Sequence, residues 1–173
     1  MKRIESVLNN AFYLDCLGRN KEREAERAFC RHDFQHMVDV ARISYILALE
    51  SGDLNRFQDL YSLPDLAAAR EIIYSAGLMH DLARWVQYDT GEDHAAAGAR
   101  LAGPLLASAG FSELESEVIA AAIAEHRSAS AKKTWLGVIM SRADDLSRPC
   151  LQCGVRVECY KYSSRAVRAA LLY

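Results

Sequence analysis

A histidine and an aspartate stand side by side, His80-Asp81, at the end of the apolar run Ala76-Gly77-Leu78-Met79, and apolar residues resume at Leu82-Ala83. Burying a polar group without a partner costs roughly 2–7 kcal/mol, and a charge costs more. A fold that buries this doublet must therefore bring it something to bind, and a metal ion satisfies an imidazole and a carboxylate together. Further ligand types lie along the chain: His36 upstream, His94 and His126 downstream, and Asp144 within Arg142-Ala143-Asp144-Asp145-Leu146. The order His, His-Asp, His, His, Asp points to metal-dependent hydrolysis. On one helix, neighbours are about 100° apart, so one ion meets both His80 and Asp81 only near a distorted turn or a helix end.

Apolar residues recur at three- and four-residue spacing through Ile4, Val7, Leu8, Ala11 and Phe12, and again through His36, Val40, Ile43 and Leu47. That is the helical period, and the fold class it predicts is all-α. The pattern predicts a long helix from about Lys21 to Glu50, a stop at Ser51-Gly52-Asp53, and a short helix over Leu54 to Tyr61. Pro64-Asp65 reads as the entrance to the helix that leads to His80-Asp81. His94 follows the polar break Thr90-Gly91-Glu92-Asp93 near the start of another helix, in which Pro104 is placed to cause a kink. Ser112 with Glu115 forms a capping-box pattern that opens the helix ending near His126, and Trp135, Val138, Ile139 and Met140 lead to Asp144.

A chain of 173 residues has the size of one domain and buries about 70% of its unfolded surface. Its organisation reads as an N-terminal helical segment over 1–29, a metal-binding helical core over 30–148, and a cysteine-rich appendage of the same domain over 149–173. With 21 basic and 23 acidic residues the net charge is −2, which gives no general attraction to nucleic acid or an anionic membrane. A local basic patch beside a site stays compatible with that balance. Glu5, Asn9, Asn10 and Asp15 interrupt any secretory signal, and no apolar stretch approaches the roughly 20 residues that cross a bilayer, so the expected location is cytoplasmic. Five cysteines without a secretion signal argue for thiols or thiolate ligands rather than a disulfide framework.

The residues His36, His80-Asp81 and Asp144 resemble the motifs of the HD-domain metal-dependent phosphohydrolase superfamily, over about residues 30 to 148. The resemblance implies a helical bundle in which these four residues bind one divalent transition metal. His94 and His126 look like the two extra ligands of dinuclear members, so a two-metal site is the preferred reading, with Fe, Mn, Co or Ni as candidate ions. Two adjacent metals lower the pKa of a bridging water and make hydroxide available near neutral pH. By the same resemblance Asp81 is the bridging carboxylate. Arg84 and Arg127, beside the metal motifs, are the leading candidates for phosphate contacts, since a guanidinium engages phosphate oxygens as a fork. Lys132, Lys133, Arg142 and Arg148 are weaker candidates of the same kind. The implied partner is a small phosphorylated substrate, with a nucleotide as one candidate. The six-ligand pattern is similar to that of iron-dependent diadenosine tetraphosphate hydrolases, although Arg84 stands where those proteins often carry a lysine.

His32-Asp33 is a second doublet without the long apolar approach of the first. It reads as a decoy, with His32 placed at the surface or behind the metal ligands, or else serving the cysteine cluster. Cys150, Cys153 and Cys159 form Cys-x2-Cys-x5-Cys directly after Pro149. Structural zinc takes four protein ligands, and Cys30 or His32 would supply the missing one; the alternative is reduced thiols packed as small apolar groups. Cys16 reads as a core residue. Two further functional readings fit the same residues: a mixed-valent di-iron oxygenase, and a non-catalytic, metal- or redox-responsive interaction module.

Overall fold

The computed structural model describes residues 1–159, 161, 162 and 173. Helices follow one another as α1 (Lys2–Leu8), α2 (Ala11–Arg23), α3 (Phe34–Glu50), α4 (Leu54–Leu60), α5 (Leu66–Met79), α6 (Arg84–Thr90), α7 (His94–Ser108), α8 (Glu113–Glu125) and α9 (Trp135–Leu146). Two single 3-10 turns, Cys150–Gln152 and Arg156–Glu158, lie in the tail, and there is no strand among the described residues. The all-α expectation holds. No helix is long and apolar enough to cross a membrane among the described residues.

Side-chain caps set where the site-bearing helices begin. Asp33 accepts from the His36 N–H, Asp65 from Ala68, Asp93 from Ala95 and Ala96, and Thr134 from Gly137. Ser112 and Glu115 make the reciprocal capping box predicted for α8. Each such cap satisfies backbone donors that a helix start leaves free, a contribution of about 1 kcal/mol. α7 runs from His94 to Ser108 with Pro104 inside it.

The single helix expected from Lys21 to Glu50 is two helices. α2 ends at Arg23, and residues 24–33 cross to α3 as a non-helical connection. The physical reason is local: Glu24 turns inward to accept from both the backbone and the ring of His32, and Asp33 restarts the chain as a helix cap. Likewise the apolar spacing from Ile4 to Phe12 spans a break, because Asn10 caps α2 through the Phe12 N–H.

α3 packs on α5 and α9, and α8 packs on α5, α7 and α9. Val40, Leu47, Ile72, Ile73, Met79, Ile119, Ile123, Leu136 and Met140 fill the space between them. Burial of each large apolar side chain contributes roughly 1.5–3 kcal/mol, so the bundle is held by these stripes independently of its polar centre. α3 and α5 meet most closely at Gly77, where a Cβ would lie 2.5 Å from the Ala41 Cα. That contact brings the His36 and His80 backbones together.

Candidate metal centre

α5 ends at His80, its C-cap, and the chain turns through Asp81, Leu82 and Ala83 before α6 begins at Arg84. Release from helical geometry lets the two neighbouring side chains converge, as the doublet requires. Asn20 of α2 pins this turn from outside: its amide donates to the Asp81 carbonyl at 2.9 Å and accepts from the Trp85 N–H at 2.8 Å.

Around the doublet, α3 supplies His36, α7 His94, the end of α8 His126 and α9 Asp144, all buried. Asp81 Oδ2 lies 3.1 Å from His80 Nε2 and 3.6 Å from His36 Nε2. Asp144 Oδ1 lies 3.3 Å from His36 Nε2 and 3.9 Å from His80 Nε2. The other carboxylate oxygen, Asp81 Oδ1, faces His94 Nε2 at 2.8 Å and His126 Nε2 at 3.7 Å. Two ligand groups result, one of His36, His80, Asp81 and Asp144 and one of Asp81, His94 and His126, each with its ligand atoms within 4.8 Å of one another. Asp81 belongs to both.

The far side of each ring fixes which nitrogen faces inward. His80 Nδ1 lies 2.7 Å from the Gly77 carbonyl and His126 Nδ1 2.6 Å from the Ile123 carbonyl. His94 Nδ1 meets Gln87 Oε1 at 2.5 Å, and His36 Nδ1 meets Ser147 Oγ at 3.1 Å. A ring that donates from Nδ1 presents the Nε2 lone pair, which is how metal-binding imidazoles are oriented. At the centre, His36 Nε2, His80 Nε2, His126 Nε2 and Asp81 Oδ1 are buried without a hydrogen-bond partner. Inward-facing lone pairs left orphaned in an apolar interior are what a bound cation would satisfy, so this donor set fits a metal.

Charge at the centre follows from the same packing. Burial opposes ionisation of Asp81, but the surrounding imidazoles outweigh it and hold its carboxyl well below the usual range. Asp144 is likewise held low against burial, chiefly by Arg148, whose Nη2 donates to Asp144 Oδ1 at 2.6 Å. Burial lowers His94, whereas Asp144 and Asp81 overcome burial to raise His36. The carboxylates are thus the ionised form that metal binding requires.

A cavity of about 160 Å³ opens beside the centre, with Asp81, His94 and Asp144 at its floor. Arg27, Arg84, Arg127, Arg148 and Lys161 line it, a local basic patch in a chain of net charge −2. Arg84 and Arg127 place Nη1 atoms 3.1 Å and 3.3 Å from His94 Nδ1. Arg148, a weaker sequence candidate, is a wall residue committed to Asp144, whereas Lys132, Lys133 and Arg142 do not line this cavity.

His32 is buried, not at the surface. Its Nδ1 donates to Glu24 Oε1 at 2.5 Å, and its Nε2 points to Asp81 Oδ2 at 3.6 Å. The apparent decoy therefore stands directly behind the central doublet. Burial lowers its pKa to about 4 against the pull of Asp81, keeping it neutral at physiological pH. Sequence reading also missed Glu24, Asn20 and Gln87; only Asn20, a polar residue on the apolar face of α2 with Tyr13 and Cys16, left a periodicity signal.

The cysteines are free thiols, with Cys16 buried as expected. Cys30, Cys150 and Cys159 line the mouth of the same cavity, but no cysteine belongs to a converged ligand group among the described residues. His32 lines the same cavity, with its Nε2 turned to Asp81.

The HD-domain family model matches residues 33–148, which run from the cap of α3 to just beyond α9 and contain all six converging ligands. The chain belongs to the HD-domain family. It is also similar, at 33% identity over 159 residues covering 92% of each chain, to an uncharacterized protein of Clostridium beijerinckii. None of the solved structures matches the chain significantly.

Proposed function

We propose that this protein is a metal-dependent phosphohydrolase acting on a nucleotide or another small phosphate ester. The carrying observation is Asp81, whose two oxygens face two separate ligand groups at the floor of a basic cavity. His36, His80, Asp81 and Asp144 would hold one ion, and Asp81, His94 and His126 a second. Bound divalent metals there would supply an activated water near neutral pH and offset charge on a phosphoryl group.

The remaining work belongs to the chain. Arg84 and Arg127 converge on His94 from α6 and from the segment after α8, so a phosphoryl group entering the cavity meets two guanidinium forks. Burial of Asp81 and the imidazole ring keeps bulk water from competing with substrate for these groups. No serine or cysteine nucleophile is required.

The test is a hydrolysis assay on metal-depleted protein reloaded with Mn²⁺, Fe²⁺ or Co²⁺, across nucleoside phosphates, dinucleoside polyphosphates and simple phosphomonoesters. Turnover should need metal and vanish in His80→Ala. Arg127→Ala should lose about 10- to 100-fold in kcat/KM, the effect of one charged hydrogen-bonding group. Turnover with redox-inert metal would separate hydrolysis from di-iron oxygenation, and fully loaded protein inert to the whole panel would remove the proposal.

A further inference from the structure

Among the described residues, the two turns that follow α9 bury little apolar surface with which to hold themselves in place. The Arg156–Glu158 turn buries no residue, Val157 is 83% exposed, and in the Cys150–Gln152 turn only Cys150 is buried. A segment without its own core needs another staple, and in small cysteine-containing segments a metal commonly provides it. The turns put the cysteines at their ends. Cys153 caps the first turn through its N–H to the Cys150 carbonyl, and Cys159 caps the second through its N–H to the Arg156 carbonyl.

A fourth cysteine comes from the connection between α2 and α3. Arg27 Nε donates to the Cys30 carbonyl at 2.8 Å and braces that loop internally. Cys30 and Cys150 line both the catalytic cavity and the hollow next to it; Cys159 completes the first wall and Cys153 the second. The four thiols thus border two neighbouring hollows between the loop and the tail. They also sense one another: after burial, the charges of Cys30, Cys159 and Cys153 are what push the Cys150 thiol up. Thiols gathered in this way are what a divalent cation can take up, by binding them as thiolates.

We propose that Cys30, Cys150, Cys153 and Cys159 form a second metal site, a four-thiolate zinc site that anchors the tail over the mouth of the catalytic cavity. His32 is left out of this set because its Nδ1 is held by Glu24 and its Nε2 points to Asp81. No three of these sulfurs lie within 4.8 Å of one another, so zinc draws the tail inward as it binds, with release of the thiol protons. The closure also acts on the neighbouring centre. Arg148, two residues before Cys150, holds Asp144, and Lys161, two residues after Cys159, lines the cavity. The site rests on the tail and the Cys30 loop and stands whether or not the protein is a phosphohydrolase.

Elemental analysis of protein expressed without added metal tests it, using Asp81→Ala to disable the buried centre. That variant should retain one zinc per chain, and Cys153→Ser or Cys159→Ser in the same background should reduce it to none. Because serine variants can fail to fold, thiol titration of the unaltered protein provides a second measure: four thiols should become reactive only after chelation. Co²⁺ in place of zinc should give a thiolate-to-cobalt charge-transfer band. Zinc-free Asp81→Ala protein, thiols that react equally without chelator, a disulfide, or iron with acid-labile sulfide would each overturn the assignment.

Discussion

Asp81 is the residue on which both ligand groups depend, and its demands explain its neighbours. Its two oxygens face five imidazoles, those of His32, His36, His80, His94 and His126, while its backbone carbonyl is held by Asn20. Asp81→Asn keeps the shape but replaces one acceptor oxygen with a donor, so it should abolish metal retention at both positions; elemental analysis after dialysis reads this directly. Alanine at His94 should instead spare the group of His36, His80, Asp81 and Asp144, leaving about one ion where the unaltered protein holds two. Glu24 makes a different kind of claim. Burial alone would raise its pKa, but the His32 ring and backbone and the Tyr88 hydroxyl outweigh burial and bring it from 4.5 to about 2. A carboxyl depressed on folding adds stability that is complete above its unfolded value and disappears as pH falls through the folded one. Urea unfolding of metal-free protein should therefore show Glu24→Gln less stable by about 1–3 kcal/mol near pH 6, with the gap closing between pH 4.5 and 2. A gap that stays constant with pH would mean that Glu24 is not the ionised partner of His32.

Among the elements, α3 and α5 set the geometry of the centre, since each carries a ligand and their separation is fixed at one glycine. A methyl at Gly77 would collide with the Ala41 backbone at 2.5 Å, and neither helix has a flexible group to yield. Gly77→Ala gains up to about 1 kcal/mol in helix propensity yet should be net destabilising by about 1–3 kcal/mol, because overpacking forces the backbones apart. It should also weaken metal affinity, as His36 and His80 separate; a variant as stable and as metal-rich as the parent would refute the close-approach account. Helix starts were largely legible in the sequence, because Asp65, Asp93 and Ser112 are residues whose side chains cap. The break over residues 24–33 was not. Charged residues there continue a helical pattern, and what ends the helix is a long-range need, the pairing of Glu24 with a histidine that must reach Asp81. The same blindness misplaced His32: an apolar approach marks a residue buried by its own helix, whereas His32 is buried by a loop folding onto other elements. His36, His80, Asp81 and Asp144 were readable because each lies in an apolar pattern that makes an unsatisfied polar group costly, whereas the roles of His94 and His126 came from the family resemblance. Gln87 and the pairing of Arg148 with Asp144 were not readable, since what they do depends on how the site is assembled in the fold.

In the whole molecule, the ligands come from α3, α5 with the turn after it, α7, the end of α8 and α9, so a metal bound at the centre ties together helices that otherwise touch only through side-chain packing. The apolar stripes are continuous without it, as Ile72, Ile119, Leu136 and Met140 pack in one core. Metal-free protein should accordingly remain helical. It must nevertheless bury three imidazole nitrogens and an Asp81 oxygen with no partner, a cost that coordination removes. A ligand that binds only the folded chain stabilises it by about 2.7 kcal/mol at one hundred times its Kd. For a chain of this size that corresponds to a rise in Tm of about 5–10 °C. Chelated protein titrated with Mn²⁺ or Co²⁺ should show this rise with its far-ultraviolet circular dichroism almost unchanged, and Asp81→Asn should show neither the rise nor any dependence on metal concentration. Because the core and the centre share helices but not interactions, a Tm indifferent to metal in the parent protein would mean that the converging lone pairs are satisfied by something other than an ion.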